Sequence, residues 1–224
     1  MEHGIKQIFI SCGADVCGIA DADRFSAAPK GFNPTDIYTG CKSVIAFGIA
    51  LPRGLAQVDP RFVYGHYNDF ACGMVDRAAM NAAKQLERLY GATAVPLPCD
   101  APYEYWDEKT LTGKGLVSMK HAAVLCGLGT LGKNSLLINA EYGNSLILGA
   151  VLTDLQLRPD ELCEPLCIDG CRRCEESCPV GAIENGRVAQ RLCRTNSYGK
   201  TPRGFDVVNC NKCRTVCPMR YGKT

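Results

Sequence analysis

Apolar positions along the first 160 residues switch between helical and strand spacing, the pattern of a fold that mixes the two. Residues 2–12 read as a helix and Val16–Ala20 as a short strand. Ser43–Ala50 is a continuous apolar run closed by Leu51 and Pro52, which predicts a strand covered on both faces. From Asp69 to Tyr90, Ala71, Val75, Ala78, Ala82, Leu86 and Leu89 recur every three or four residues, so a long amphipathic helix is expected. Asp69 can cap its start, and Gly91 stands where a left-handed stop belongs. Thr93–Leu97 reads as a strand and residues 117–126 as a helix. Ser135–Asn139 and Leu146–Leu155 read as two strands joined by the hairpin turn Glu141-Tyr142-Gly143-Asn144. Beyond Pro159 the periodicity fades into short segments punctuated by Cys, Gly and Pro, a stretch expected to be held by ligands more than by a core of its own. The organisation this predicts is an α/β (α+β) body over residues 1–160 and a small module over 161–224.

Composition sharpens that division. Six of the 15 cysteines (Cys12, Cys17, Cys41, Cys72, Cys99 and Cys126) are scattered in apolar company and read as small buried side chains of a reducing compartment; the other nine crowd into residues 163–217. No window approaches the roughly 18 uninterrupted apolar residues of a membrane helix, and Met1–Ala20 lacks the basic flank and apolar run of a signal peptide. A cytoplasmic location without membrane association is the expectation. Acidic residues outnumber basic ones 19 to 14 through residue 171, and basic residues outnumber acidic ones 11 to 4 after it. A basic tail suits a nucleic-acid partner, yet two anionic clusters would offset most of the same excess locally.

The cysteine motifs are Cys167-x3-Cys171-x2-Cys174-x3-Cys178-Pro179 and Cys210-x2-Cys213-x3-Cys217-Pro218. In ferredoxin-type runs the closely spaced cysteines wrap one 4Fe-4S cube while the cysteine before proline crosses to the other. Two cubes need eight thiolates; the motifs supply seven, and Cys193, alone between them, is the natural eighth. Crossing over assigns Cys167, Cys171, Cys174 and Cys217 to one cluster, and Cys178, Cys193, Cys210 and Cys213 to the other. Cys163 is spare, although the loosened spacing before Cys171 leaves it as an alternative to Cys167. Structural zinc competes for Cys-x2-Cys pairs, but this region has no histidine and twice places proline directly after the final thiol.

Gly127-Leu128-Gly129-Thr130-Leu131-Gly132 matches a dinucleotide fingerprint in letters but not in context, since a helix precedes it and a strand follows. Lys133 and Asn134 follow the glycines, where a bare backbone could hold a phosphate or an amide-rich cofactor. Tyr103-Glu104-Tyr105-Trp106-Asp107-Glu108 fits either the lining of a pocket for a flat ligand or a surface loop.

Taken together, Lys120–Ala123, Gly127–Asn134, Leu136–Asn139, Glu141–Gly143, Leu152–Leu155, Gly18–Ala20, Lys42–Ile45, the two motifs and Cys193 resemble the epoxyqueuosine reductase family and its shorter relatives with a double-cluster domain. That resemblance implies a body of the nitroreductase-like, cobalamin-processing type and a ferredoxin-like double-cluster module. It implies clusters that feed electrons to cobalamin, with Lys120, Gly127, Leu128, Gly129, Lys133 and Asn134 bordering the cofactor. The family's catalytic aspartate falls on Gly113, its glutamate on Met119 and its arginine on Lys120, so the family's acid is missing. The chain also stops soon after Cys217, and tRNA is not expected as its substrate.

The functional expectation is therefore an iron-sulfur oxidoreductase passing single electrons through two 4Fe-4S clusters to a cofactor in the body. Cobalamin is the first choice and a flavin the second; an external donor of ferredoxin or flavodoxin type would supply the electrons, and the acceptor would be a small molecule or a protein. The rivals are a ferredoxin-like electron-transfer partner without an organic cofactor of its own, and a nucleic-acid-binding module using the basic tail.

Overall fold

The computed structural model describes residues 1–223. The body comprises α1 (Glu2–Ser11), β1 (Val16–Asp21), α2 (Pro34–Ile37), β2 (Ser43–Ala50), α3 (Gly65–Tyr90), β3 (Ala94–Leu97), β4 (Tyr105–Asp107), β5 (Thr112–Lys114), α4 (Met119–Leu125), β6 (Thr130–Leu131), β7 (Leu137–Ile138) and β8 (Leu146–Thr153). The cysteine-rich part adds α5 (Arg173–Glu176), β9 (Ile183–Glu184), β10 (Arg187–Val188), α6 (Gln190–Ser197), β11 (Tyr198–Lys200), β12 (Asp206–Val208) and α7 (Lys212–Thr215).

One four-stranded sheet, in the order β1-β2-β8-β3, organises the body, and every neighbouring pair in it is antiparallel. The alternation of helices and strands thus yields the α+β form and no wound parallel sheet. Both faces are covered. Ile45, Phe47 and Ile49 of β2 and Ile147 and Val151 of β8 face α1 and α3; Val44 and Ala46, with Leu146, Leu148, Ala150 and Leu152, face α4 and the glycine loop. This two-sided burial is why β2 and β8 are apolar along their length. Small residues let α3 approach closely. It buries Ala71, Ala78, Ala79, Ala82 and Ala83, and a Cβ on Gly149 of β8 would fall 2.4 Å from Val75 Cγ1.

Three expectations are corrected. Helix α3 begins at Gly65 and continues directly from a π-helical turn at Pro60–Tyr64, so Asp69 lies inside it and caps nothing; its end is as read, with Gly91 left-handed at φ +64. The strand expected at Ser135–Asn139 shrinks to β7, which pairs with β6 inside the glycine loop. It cannot form a hairpin with β8 because β2 and β3 occupy both edges of that strand. The stretch 103–108, read as a pocket lining or a surface loop, runs into the first strand of the β4–β5 hairpin; Tyr105 and Trp106 are 45% and 42% exposed, so no burial periodicity announces it.

Among the described residues beyond Leu157, none belongs to either core cluster, and only Val208 packs against one from the side. Polar knots do the joining. Asp160 receives Lys6 Nζ at 2.6 Å and the amide of Ile19 at 2.8 Å, while its carbonyl accepts from Arg24 at 2.8 Å. Farther along, the amide of Leu166 donates to Thr130 Oγ1 at 3.0 Å, and that of Lys223 to the Ala140 carbonyl at 2.7 Å.

Candidate metal centre and the adjoining face

All fifteen cysteines are free. Two short helices that pack on one another, α5 and α7, contain Cys174 and Cys213, the other motif cysteines lie in the segments flanking them, and Cys193 comes from α6. Cys167, Cys171, Cys174 and Cys217 line one cavity together with Gly132, Lys133 and Asn134. Cys217 lies close enough to Cys167 and Cys171 for their charges to act on it, and Cys213 is in the same relation to Cys193, Cys210 and Cys174. The two thiol groups are thus neighbours, and the cysteine before Pro218 turns away from its own motif toward the first. Cys178 accepts the amide N–H of Ala182 at 3.2 Å, and Cys193 lies 3.6 Å from Ser197 Oγ. Cys163 stands apart, giving its S–H to the Gly127 carbonyl at 3.1 Å.

Burial pushes the Cys213 thiol up to about 11 and raises Cys174 and Cys217 as well. Ligation at these positions must therefore displace protons. The donor set bears on which metal suits them. Cys167, Cys171, Cys174 and Cys217, with no histidine, line the cavity, and four thiolates are the donors that a four-iron cube takes.

The glycine loop clamps this region to the body. A Cβ on Gly127 would fall 2.3 Å from the Glu161 carbonyl, and one on Gly129 would fall 2.1 Å from that of Ile138. Leu128 is buried in the core on the α4 side. Lys133 Nζ donates to the Cys171 carbonyl at 2.7 Å and Asn134 Nδ2 to that of Cys213 at 2.9 Å. Below the loop, Asn139 donates to the Leu128 carbonyl at 2.6 Å and accepts from the amides of Glu141 and Tyr142. The glycines therefore permit close backbone packing, and the two polar residues after them hold cysteine segments in place.

A second face opens beside Cys193 and Cys213. Lys120, on α4, reaches solvent, yet burial of its stem and the nearby Arg214 lower its pKa; the thiols of Cys213 and Cys193 and the carboxylate of Asp100 act in the opposite sense. Arg194, next to Cys193, stacks over Tyr103 and Trp106 at 5.4 and 5.1 Å, and those rings stack on each other at 5.6 Å. Gly113 donates its amide to Gln190 of α6 at 3.1 Å, and a Cβ there would sit 3.2 Å from both rings. No acidic side chain projects from that position. Sequence reasoning missed Asp100, Gln190 and Arg194; Arg194's adjacency to the isolated Cys193 was the available clue.

No protein-family model matches the chain. An epoxyqueuosine reductase from Bacillus cereus is 29% identical over 206 residues, covering 86% of this chain and 52% of the relative, so the chain spans about half the length of that protein. The structure of epoxyqueuosine reductase from Streptococcus thermophilus superposes with a TM-score of 0.70 at 19% identity, covering 99% of this chain and 66% of that one. A reductive dehalogenase whose structure bears on B12-dependent dehalogenation superposes with a TM-score of 0.65 at 17% identity, covering 98% and 32%. Along most of its sequence and nearly all of its fold, the chain is a distant homologue of the epoxyqueuosine reductase family.

Proposed function

We propose that the chain is an iron-sulfur reductase in which two 4Fe-4S clusters, held by Cys167, Cys171, Cys174 and Cys217 and by Cys178, Cys193, Cys210 and Cys213, deliver single electrons to a cobalamin on the body. The observation that carries this reading is the gathering of Cys217 with the first motif around one cavity while Cys193 and Cys210 gather at Cys213. Bound cobalamin would supply the reductive chemistry. The chain's own residues would position and tune: Lys133 and Asn134 fix the backbone on which two ligands sit, and the amide of Ala182 points at the sulfur of Cys178. The face containing Lys120, Asp100 and Arg194 adjoins the second thiol group and is where the cofactor would lie. The glycine loop supports that site from behind.

With Gly113 in place of an acid, a proton for the acceptor must come from solvent or from another group on this face. An external donor of ferredoxin or flavodoxin type would supply the electrons. Anaerobic reconstitution with iron and sulfide tests the proposal. About eight irons per chain and a spectral change on adding cob(II)alamin are the expected results. Eight irons without cobalamin binding would leave an electron-transfer partner, and a colourless zinc protein would overturn the redox reading entirely.

A further inference from the structure

Cys72 and Cys99 belong to neither thiol group of the metal centre. Cys72 lies on α3 one turn before Asp76, so the two side chains share a face of the helix. Asp76 Oδ1 accepts the amide N–H of Cys99 at 2.8 Å, which pins the end of the β3 connection to α3 beside Cys72. Both cysteines are half-buried and pack against the same core. Three of the other four scattered cysteines are engaged elsewhere: Cys41 and Cys126 give their S–H to the carbonyls of Ser43 and Val44, and Cys12 accepts from Gln85. Cys72 and Cys99 are instead brought to one place, through Asp76.

We propose that Cys72 and Cys99 are a reversible dithiol–disulfide pair that locks the β3–β4 connection onto α3 when the protein meets a low-molecular-weight disulfide. The side chain of Cys99 holds the Cys72 thiol below its ordinary value against burial and the charges of Asp69, Asp76 and Asp100, while Cys72, burial and the charges of Asp76 and Asp100 together drive Cys99 far above its own. Cys72 is accordingly the attacking sulfur. Its thiolate displaces one thiolate from the small disulfide and forms a mixed disulfide. Cys99 then loses its proton, attacks the Cys72 sulfur and expels the second thiolate. The net change oxidises two protein thiols by two electrons and reduces one small disulfide to two thiols. The locked connection carries Asp100 and Tyr103, the wall of the face beside Cys193, so the bond acts on the mobility of that wall.

The test is independent of the cobalamin proposal. Anaerobic, cluster-loaded protein is incubated with oxidised glutathione, quenched by alkylation and digested with trypsin. Cleavage at Arg61, Arg77, Arg88 and Lys109 isolates each of the two cysteines in a peptide of its own. The expected product is the linked pair 62–77 with 89–109. Cys99→Ser should trap glutathione on residue 72, whereas Cys72→Ser should leave Cys99 unmodified. Far-ultraviolet circular dichroism checks that each variant is folded. Free alkylation of both cysteines in the natural protein, or no adduct in Cys99→Ser, overturns the proposal.

Discussion

Crossing of the last cysteine between the two thiol groups makes a prediction that no single substitution can mimic. In Cys171→Ala/Cys217→Ala, both lost thiols line the same cavity. In Cys213→Ala/Cys217→Ala, the lost thiols are neighbours in sequence, yet Cys213 lies among Cys193 and Cys210 while Cys217 lies by Cys167 and Cys171. Each complete cube contributes four irons, so the natural chain should hold about eight, the first variant about four and the second close to none. Colorimetric iron on anaerobically reconstituted protein measures the count. Electron paramagnetic resonance of the dithionite-reduced samples adds a second reading, coupled spins giving way to one isolated spectrum in the first variant. The contrast is large because the cysteine-rich part buries few apolar side chains of its own, Leu166, Ala182, Ile183 and Val207 among them, so little else would hold it once ligands are lost. The reverse pattern, iron lost from the 171/217 pair and half retained in the 213/217 pair, refutes crossing and would mean that each motif serves its own cluster.

Other expectations follow from single contacts. Lys133→Met removes the ammonium that donates to the Cys171 carbonyl while keeping the aliphatic stem; loading should survive, with iron lost to a chelator roughly tenfold faster. Asp160→Ala deletes the partner of Lys6 and the acceptor for the Ile19 amide, and should lower unfolding stability by about 2 kcal/mol in denaturant titrations, with proteolysis concentrating on residues 158–166. Gly149→Val forces new carbons against Val75 and Phe47 and should cost about 2 kcal/mol; combining it with Val75→Ala should recover part of that loss.

The two periodicities were enough to locate α1, β1, β2, β8 and most of α3, because each buries a regular face and burial is written in residue type. The thiol-rich region was legible for a different reason: closely spaced cysteines, twice followed by proline, are a local pattern that spacing alone records. Pairing was not legible. That β8 sits between β2 and β3, and that β7 folds back on β6, depends on which strand edges are free, a property of the assembled sheet. The same holds for the glycine loop, whose letters fit a cofactor cradle but whose neighbours, the carbonyls of Glu161 and Ile138, are brought from distant chain by the fold. The face of Lys120, Asp100 and Arg194 and the pairing of Cys72 with Cys99 arise where separate elements meet, so only the tertiary structure could decide them.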